Sequence, residues 1–186
     1  MDNKKFGPKE IKQNLIDAAL FLAYYEILKS VILGRINSFY NIEIEEGKRI
    51  ISDNYKKEII DRIINGKKIG EFKASCIWLI ENGALSPHDH VRIEYITELR
   101  NRIAHDIPKY LFDSDYSIDS ELFTEIKSLT LKTEKWWIIN VDIPCNSDFD
   151  NQIINEESIV PGYDTLLSYI FNIANSDLEE LEKIIG

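Results

Sequence analysis

Apolar residues recur at helical spacing along one long stretch, PKEIKQNLIDAALFLAYYEILKSVILGRINSFY, which spans residues 8–40. Pro8 suits the first position of a helix, where its missing N–H group costs nothing. The apolar positions cover a broad arc of the helical wheel and not a narrow stripe. We therefore predict one long helix that is central to the fold and is contacted by other elements on several sides.

The rest of the chain shows helical periodicity in shorter segments, each bounded by capping residues. The predicted helices are NYKKEIIDRII, closed by Asn65-Gly66; IGEFKASCIWLIEN, closed by Gly83; LSPHDHVRIEYITELRNRIAHDI, begun by Ser86 and Pro87 and ended or bent by Pro108; SIDSELFTEIKSLTLKTEKWWII, capped by Ser117 or Asp119; YDTLLSYIFNIA; and DLEELEKII. No stretch shows persuasive strand alternation, although NIEIEEG could hold a strand fragment. The sequence predicts an all-α fold, a bundle of five to seven helices.

Length and composition are those of one globular domain. The chain has 186 residues, of which 44% are hydrophobic and 29% charged, enough to build a substantial core. We expect a single domain over residues 1–186, with an acidic helical extension from about residue 142. No apolar run is long enough to span a membrane and no signal peptide is visible, so we expect a cytoplasmic protein. Cys76 and Cys145 lie far apart, which fits a reducing compartment, and Cys76 is expected to be buried.

Charge is unevenly distributed along the chain, whose net charge is −10. Residues 1–110 carry 18 basic and 16 acidic residues, whereas residues 111–186 carry 4 and 16. Eight basic residues lie in one segment: Lys48, Arg49, Lys56, Lys57, Arg62, Lys67, Lys68 and Lys73. A local basic face can bind phosphate although the whole protein is acidic. Most individual lysines are nevertheless expected to lie on solvated helix faces.

One arginine lies on the apolar face of the helix that ends in ELRNRIAHDIPKY. On a wheel at about 100° per residue, the predicted buried stripe comprises Ile93, Ile96, Leu99, Ile103, Ala104 and Ile107. Arg100 falls inside this stripe and has no carboxylate three or four residues away. A guanidinium in apolar surroundings needs an anion, which can be a tertiary carboxylate, a group on a partner chain or a bound phosphate. Glu26 is one candidate carboxylate, although it could instead pair with Lys29.

His105 lies on the opposite, polar face of the same helix, with Asn101 four residues before it and able to hold one ring nitrogen. Histidine is the side chain best able to exchange a proton near neutral pH. Arg102 also lies on the polar side. It is expected to form ordinary surface ion pairs with Glu98 and Asp106, which lie four residues before and after it.

Two further clusters have plain structural explanations. His88, Asp89 and His90 lie at a helix start where their side chains diverge, so capping and solvation are expected there and no metal site. Trp136 and Trp137 could stack on RNA bases. Because adjacent tryptophans on a helix cannot share one face, at least one is expected in the core or an interface. No metal or other cofactor is expected.

The hexapeptide RNRIAH, from Arg100 to His105, resembles the R-x(4–6)-H motif of the HEPN superfamily, which often has the form R-N-x-x-x-H. Its place near the end of a helix, before a helix-ending proline, is similar to that of the family motif. The compatible helical pattern extends from the long first helix to Tyr110. One branch of the family has R-x(4)-H-x-Y, whereas here Ile107 stands at that tyrosine position.

The resemblance implies a HEPN-like helical bundle and a metal-independent endoribonuclease of a toxin–antitoxin or antiviral defence system. It also implies an RNA substrate, a homodimer whose two motifs face each other across the dyad, and a possible cognate antitoxin. Cleavage would proceed by attack of the ribose 2′-OH on the adjacent phosphorus, which leaves a 2′,3′-cyclic phosphate and a 5′-OH.

The same resemblance implies roles for individual residues. His105 would act as general base or general acid, and Arg100 would bind the phosphate and stabilise the charge of the transition state. Asn101 would orient His105 or contact the phosphate. The neighbouring side chains expected to bind substrate are Arg102, Lys109 and Tyr110.

Arg100 and His105 point about 140° apart on one ideal helix, so a single helix cannot easily place both on one phosphate. A symmetric dimer, or distortion of the last helical turn, would bring them together. Two alternatives remain open. One is a non-catalytic helical dimer that binds RNA, a nucleotide or a protein, with Arg100 in a buried ion pair. The other is an antitoxin or immunity protein whose acidic C-terminal part mimics nucleic acid.

Overall fold

The protein is all-α, as the sequence predicts. The computed structural model describes residues 7–40, 43–45, 48–113, 115–150 and 152–176. Seven α-helices occur in this part of the chain: α1 Pro8–Phe39, α2 Asp53–Tyr55, α3 Glu71–Glu81, α4 Pro87–His105, α5 Ile107–Phe112, α6 Glu121–Trp137 and α7 Gly162–Asn175. Two short antiparallel hairpins are formed by β1 Glu43–Glu45 with β2 Lys48–Ile50 and by β3 Ile63–Ile64 with β4 Lys67–Lys68. None of the described helices is long and apolar enough to cross a membrane.

Helix α1 is the central element of the bundle. It begins at Pro8, as predicted, and α3, α4, α5, α6 and α7 all pack against it. Side chains on several sides of α1 are fully buried, among them Phe21, Leu28, Ile32 and Ile36. Burial of each such side chain contributes about 1.5–3 kcal/mol relative to leaving it in water. The broad apolar arc of the sequence therefore corresponds to a broad buried face, while one stripe of α1, which includes Glu26, stays exposed.

Two stacked tryptophans pack in the core near the C-terminal end of α1. The ring of Trp137 stacks on that of Trp78 with centroids 5.6 Å apart and planes 6° apart. The indole N–H of Trp78 donates a hydrogen bond to the hydroxyl of Tyr40 at 3.0 Å. Trp137 is 1% exposed, and Trp136 is only partly buried. The expectation that at least one of the paired tryptophans belongs to the core is confirmed.

The predicted helix NYKKEIIDRII is present over residues 54–60 only. A π-helical turn, Lys56–Ile60, follows α2, and the chain then enters the second hairpin at Ile63. Asn65 and Gly66 have φ angles of 50° and 75°, the left-handed pair that a two-residue hairpin turn requires. Asn65-Gly66 is therefore a hairpin turn and not a helix end. In NIEIEEG, the strand fragment that the sequence left open is present as β1.

The boundaries of α4 follow the capping chemistry of its ends. The Ser86 hydroxyl accepts a hydrogen bond from the N–H of Asp89 at 3.1 Å, and the Asp89 carboxylate accepts one from the N–H of Ser86 at 2.7 Å. Ser86 and Asp89 thus form a reciprocal capping box, and the predicted helix start at Ser86 is confirmed. At the other end α4 stops at His105, two residues before the predicted Ile107, because Pro108 lies in the first turn of the separate helix α5.

Helix α7 joins the acidic C-terminal part of the chain to the bundle. The hydroxyl of Tyr24 on α1 donates a hydrogen bond to the backbone carbonyl of Leu167 at 2.6 Å, and the Leu167 side chain is fully buried. Lys127 on α6 pairs with Asp164 on α7 at 2.6 Å. The predicted helix YDTLLSYIFNIA is confirmed, whereas the last predicted helix, DLEELEKII, lies outside the described residues.

Candidate functional site

Arg100 lies between α4 and α1, where a carboxylate of α1 meets it. Its Nη2 atom donates a hydrogen bond to Glu26 Oε1 at 2.7 Å, and its Nη1 atom donates to Asn101 Oδ1 at 3.3 Å. The guanidinium carbon lies 5.6 Å from the centroid of the Tyr25 ring. Of the anions considered for Arg100, the structure therefore shows a tertiary carboxylate, that of Glu26. The alternative pairing of Glu26 with Lys29 does not occur, as Glu26 pairs with Arg100 instead.

The Arg100–Glu26 ion pair leaves part of the guanidinium unused. The two side chains are 34% and 49% exposed. Ion pairs with this exposure contribute roughly 0–1 kcal/mol, because water competes for both groups. Arg100 Nε is buried without a hydrogen-bond partner, which costs about 1–3 kcal/mol. The side chain thus retains unused donors and is only weakly held where it is.

The remainder of the predicted stripe on α4 is mostly buried. The residues that pack into the core are Ile93, Ile96, Leu99 and Ile103. Ala104 is exposed, contrary to the expectation. It lies at the edge of the predicted arc, about 80° from its centre, and in the last turn of the helix. Arg100 is intermediate in burial and marks the boundary between the core and the solvent.

His105 is the last residue of α4 and its side chain is exposed. It forms no hydrogen bond or ion pair with any residue that the structure describes. The possible hydrogen bond with Asn101 is not formed, and the amide oxygen of Asn101 accepts from Arg100. Helix α4 is α-helical through His105, so its last turn is not distorted toward Arg100. Within one chain, the two motif residues therefore face different sides of the helix.

Arg102 is an exposed cation without a partner among the described residues. The predicted ion pairs with Glu98 and Asp106 are not formed. Asp106 has left the helix, and its carboxylate accepts from the Nζ atom of Lys109 at 3.1 Å. The early end of α4 thus separates Arg102 from the acid that was expected to neutralise it, and Arg102 stays available to an anionic ligand.

The structure does not support a substrate contact through Tyr110. This side chain is 5% exposed, and its ring packs edge-on against Tyr116 with centroids 5.5 Å apart. Burial raises the pKa of the Tyr110 phenol above its usual value. The correction has a simple cause, since residues 107–112 form the separate helix α5, of which Tyr110 is the buried residue.

Two exposed tyrosines near the motif were missed by the sequence analysis. Tyr95 on α4 is 41% exposed, and Tyr116, after α5, is 38% exposed. The only sequence signal for Tyr95 is its position seven residues before Arg102, which places both side chains on one face of α4. No local pattern connects Tyr116 with this face.

The basic segment between residues 48 and 73 is partly neutralised. Three of its cations form ion pairs with acids on other elements or loops: Arg62 with Glu81, Lys68 with Asp61, and Lys73 with Glu94. The side chains of Lys48 and Arg49 lie outside the described residues. Lys56 and Lys67 are exposed and, like Arg102, form no ion pair with the described residues.

The described residues contain no group of three or more His, Cys, Asp and Glu side chains placed to hold a metal ion. Of the cluster near the start of α4, Asp89 is committed to its cap and to Lys132 at 2.5 Å. The fold and the site together define an all-α protein with an arginine–histidine motif at the C-terminal end of α4. No protein-family model, curated protein or solved structure matches the chain.

Proposed function

We propose that the protein is a metal-independent endoribonuclease of the HEPN type, which acts as a homodimer in the manner of a toxin or an antiphage effector. The observation that supports this most is the state of its two motif residues. The ion pair of Arg100 with Glu26 is partly exposed, and His105 is exposed without a partner in the described part of the chain. Neither side chain is fully committed to contacts among the described residues.

The chemistry assigned to these groups is transesterification. The ribose 2′-OH attacks the adjacent phosphorus, the P–O5′ bond breaks, and the products end in a 2′,3′-cyclic phosphate and a 5′-OH. The His105 imidazole takes the proton of the 2′-OH or gives one to the leaving oxygen, which contributes about 10²–10⁴-fold. Arg100 binds the phosphate and stabilises the added negative charge. DNA lacks the 2′-OH and is not cleaved.

Two protomers are needed to complete such a site. The rise from Arg100 to His105 is about 7.5 Å along the helix axis, and the side chains point in different directions. Because the last turn of α4 is regular, helix distortion does not supply the missing convergence. In a two-fold dimer, contacts are reciprocal, so Arg100 of one protomer and the partner's His105 can share one phosphate and form two equal sites.

Glu26 has a defined part in this proposal. In the absence of RNA it holds the Arg100 guanidinium in place, and an incoming phosphate displaces it. Guanidinium and phosphate form strong bidentate hydrogen bonds. The exchange is feasible because both partners of the existing ion pair are about a third to a half exposed.

The test is ribonuclease activity in EDTA, measured for the wild type, Arg100→Ala and His105→Ala. Each substitution is expected to lower the cleavage rate by at least about 100-fold. Matched controls are Arg62→Ala, an arginine paired with Glu81, and His88→Ala, an exposed histidine at the other end of α4. The controls should retain wild-type rates. Absence of cleavage in every form, with the helical fold intact, contradicts the proposal.

The Arg100–Glu26 ion pair also favours a second candidate, a non-catalytic helical protein that binds RNA, a nucleotide or a protein partner. In this case the arginine is a structural contact between α4 and α1. The candidate predicts that no form cleaves RNA and that Arg100→Ala lowers the melting temperature, whereas His105→Ala leaves it unchanged.

A further inference from the structure

A groove runs along the exposed face of α6. Residues of α6 form one side of it, and residues 159–161, which lead into α7, form the other. We call it the α6 groove and define it by Leu131, Lys132 and Lys135 on one side and Ile159, Val160 and Pro161 on the other. Its volume is about 750 Å³. Small-molecule sites usually measure about 300–1,000 Å³ and combine apolar walls with a few polar groups, so the α6 groove is large enough to hold a ligand.

The apolar part of the α6 groove comes from two separate segments of the chain. Val160 is 68% exposed, and Leu131 and Ile159 are partly exposed. All three side chains line one cavity, so the packing of the segment before α7 against α6 brings them together. A ligand with an aliphatic chain would remove this surface from water, which favours binding.

Lysines of α6 supply the positive charge of the groove, and one of them is free to bind an anion. Lys127 pairs with Asp164 at 2.6 Å, and Lys132 pairs with Asp89 at 2.5 Å. Lys135 lines the same groove, is partly buried, and forms no ion pair with the residues that the structure describes. The α6 groove therefore offers one uncompensated positive charge beside an aliphatic wall.

This combination matches an aliphatic monocarboxylate. Lys135 lies one helical turn after Leu131, so the cation and the apolar wall share one face of α6. A single carboxylate neutralises a single free ammonium, whereas an acidic peptide helix would bring several carboxylates to that one cation. A nucleotide fits poorly, because none of the described residues that line the groove is aromatic and its base would have no ring to stack on.

We propose that the α6 groove binds a fatty acid, with the carboxylate at Lys135 and the aliphatic chain against Leu131 and Val160. This site goes beyond the proposed function and does not depend on it. The groove belongs to α6 and to the segment before α7, whereas the arginine–histidine motif lies at the C-terminal end of α4.

The probe is dodecanoate, titrated calorimetrically into the full-length protein after bound lipid has been removed. Dodecan-1-ol has the same chain without the charge. The wild type should bind one dodecanoate per chain and should bind dodecan-1-ol about 3- to 10-fold more weakly. Lys135→Gln should weaken dodecanoate binding by the same factor and remove the preference for the acid. Val160→Ser removes apolar surface and should weaken the binding of both compounds about 3- to 10-fold.

Two controls match these variants. Lys67 is exposed and forms no ion pair with the described residues, and Lys67→Gln should bind both compounds as the wild type does. Val91 on α4 is 62% exposed, close to the value for Val160, and Val91→Ser should likewise leave binding unchanged. All four variants should unfold at nearly the wild-type temperature, because none of the substituted side chains is fully buried.

The outcomes decide between a fatty acid and other occupants. No measurable binding of dodecanoate, equal affinity for the acid and the alcohol, or a loss in Val91→Ser as large as in Val160→Ser overturns the proposal. A peptide of sequence DLEELEKIIG, which matches residues 177–186, tests an acidic protein segment as the occupant. If this peptide binds in a Lys135-dependent way and dodecanoate does not, the groove is a peptide-docking surface and the fatty-acid site is refuted. These measurements do not use ribonuclease activity, so a failure of the fatty-acid site is distinct from a failure of the nuclease.

Discussion

Arg100 and Glu26 join α4 to α1 through a 2.7 Å hydrogen-bonded ion pair between residues 74 positions apart in the chain. A second arginine, Arg35, pairs with a carboxylate that is much more deeply buried than Glu26. Arg35 donates to both carboxylate oxygens of Glu134, at 2.9 and 2.7 Å, and also contacts Asp142. The Glu134 side chain is 7% exposed, against 49% for Glu26. Arg35 is therefore held by a buried carboxylate, whereas Arg100 is held by an exposed one.

Glu26→Gln tests whether Glu26 competes with a phosphate for Arg100. Glutamine keeps the shape of the side chain and removes its charge, so RNA should bind several-fold more tightly. The free energy of unfolding should change by less than about 1 kcal/mol, because the ion pair is half exposed. Fluorescence anisotropy with uncleavable RNA and urea titration measure the two quantities. Weaker RNA binding, with a loss of stability above this range, would instead assign the pair a structural role.

Arg35→Met should be far more damaging than Arg100→Met. It leaves the Glu134 carboxylate buried without its partner, and breaking a buried ion pair on one side costs about 3–5 kcal/mol. In Arg35→Met/Glu134→Leu the unpaired charge is gone, and most of that loss should be recovered. Urea denaturation of the three variants checks this. Similar losses for Arg35→Met and Arg100→Met would show that the two ion pairs do not differ as described.

Thiol reactivity tests the placement of the two cysteines. Burial raises the pKa of Cys76 to about 12, and its side chain is 1% exposed, whereas Cys145 is exposed. The thiolate is the reactive form, so Cys76 should be inert in the folded protein. A disulfide-exchange reagent should titrate one thiol in native buffer and two in urea. Rapid modification of both thiols in native buffer would contradict the packing of α3.

The capping carboxylate of α4 should make stability depend on pH. Asp89 is partly desolvated, which by itself raises its pKa, but hydrogen bonds from Lys132 and Ser86 outweigh this and lower the pKa below the usual value. Its contribution is therefore complete above the pKa of the unfolded chain and is lost as pH falls through the lower, folded value. Asp89→Asn should cost about 1 kcal/mol at pH 7, and its difference from the wild type should shrink below about pH 4. A difference that stays constant over this range would exclude the ionised carboxylate as the cause.

Much of the fold could be predicted from the sequence, because helix periodicity and caps are local. The length of α1 and the start of α4 at Ser86 were correctly predicted, and the end of α4 was predicted to within two residues. The errors arose where one local signal fits two structures. Asn65-Gly66 suits both a helix end and a hairpin turn, and the choice depends on whether a strand pairs beyond it. Helix α6 begins at Glu121, just after the predicted caps Ser117 and Asp119. The Asp119 carboxylate accepts a hydrogen bond from the N–H of Glu121 at 2.9 Å.

The candidate site was less predictable, because its contacts are made between distant parts of the chain. The helical wheel identified Arg100 as an arginine in need of an anion, but it could not choose Glu26 among the possible partners. Helix α4 ends two residues earlier than predicted. Asp106 therefore pairs with Lys109, and Arg102 has no ion-pair partner among the described residues.

The central claim is that Arg100 of one protomer and the partner's His105 act on the same phosphate. The most direct test mixes two inactive variants, Arg100→Ala and His105→Ala, by co-expression with different tags. Half of the random dimers are then mixed, and each mixed dimer holds one intact site out of two, so activity should return to roughly a quarter of the wild-type value. A mixture no more active than either variant alone, beside an active wild type, would contradict the account.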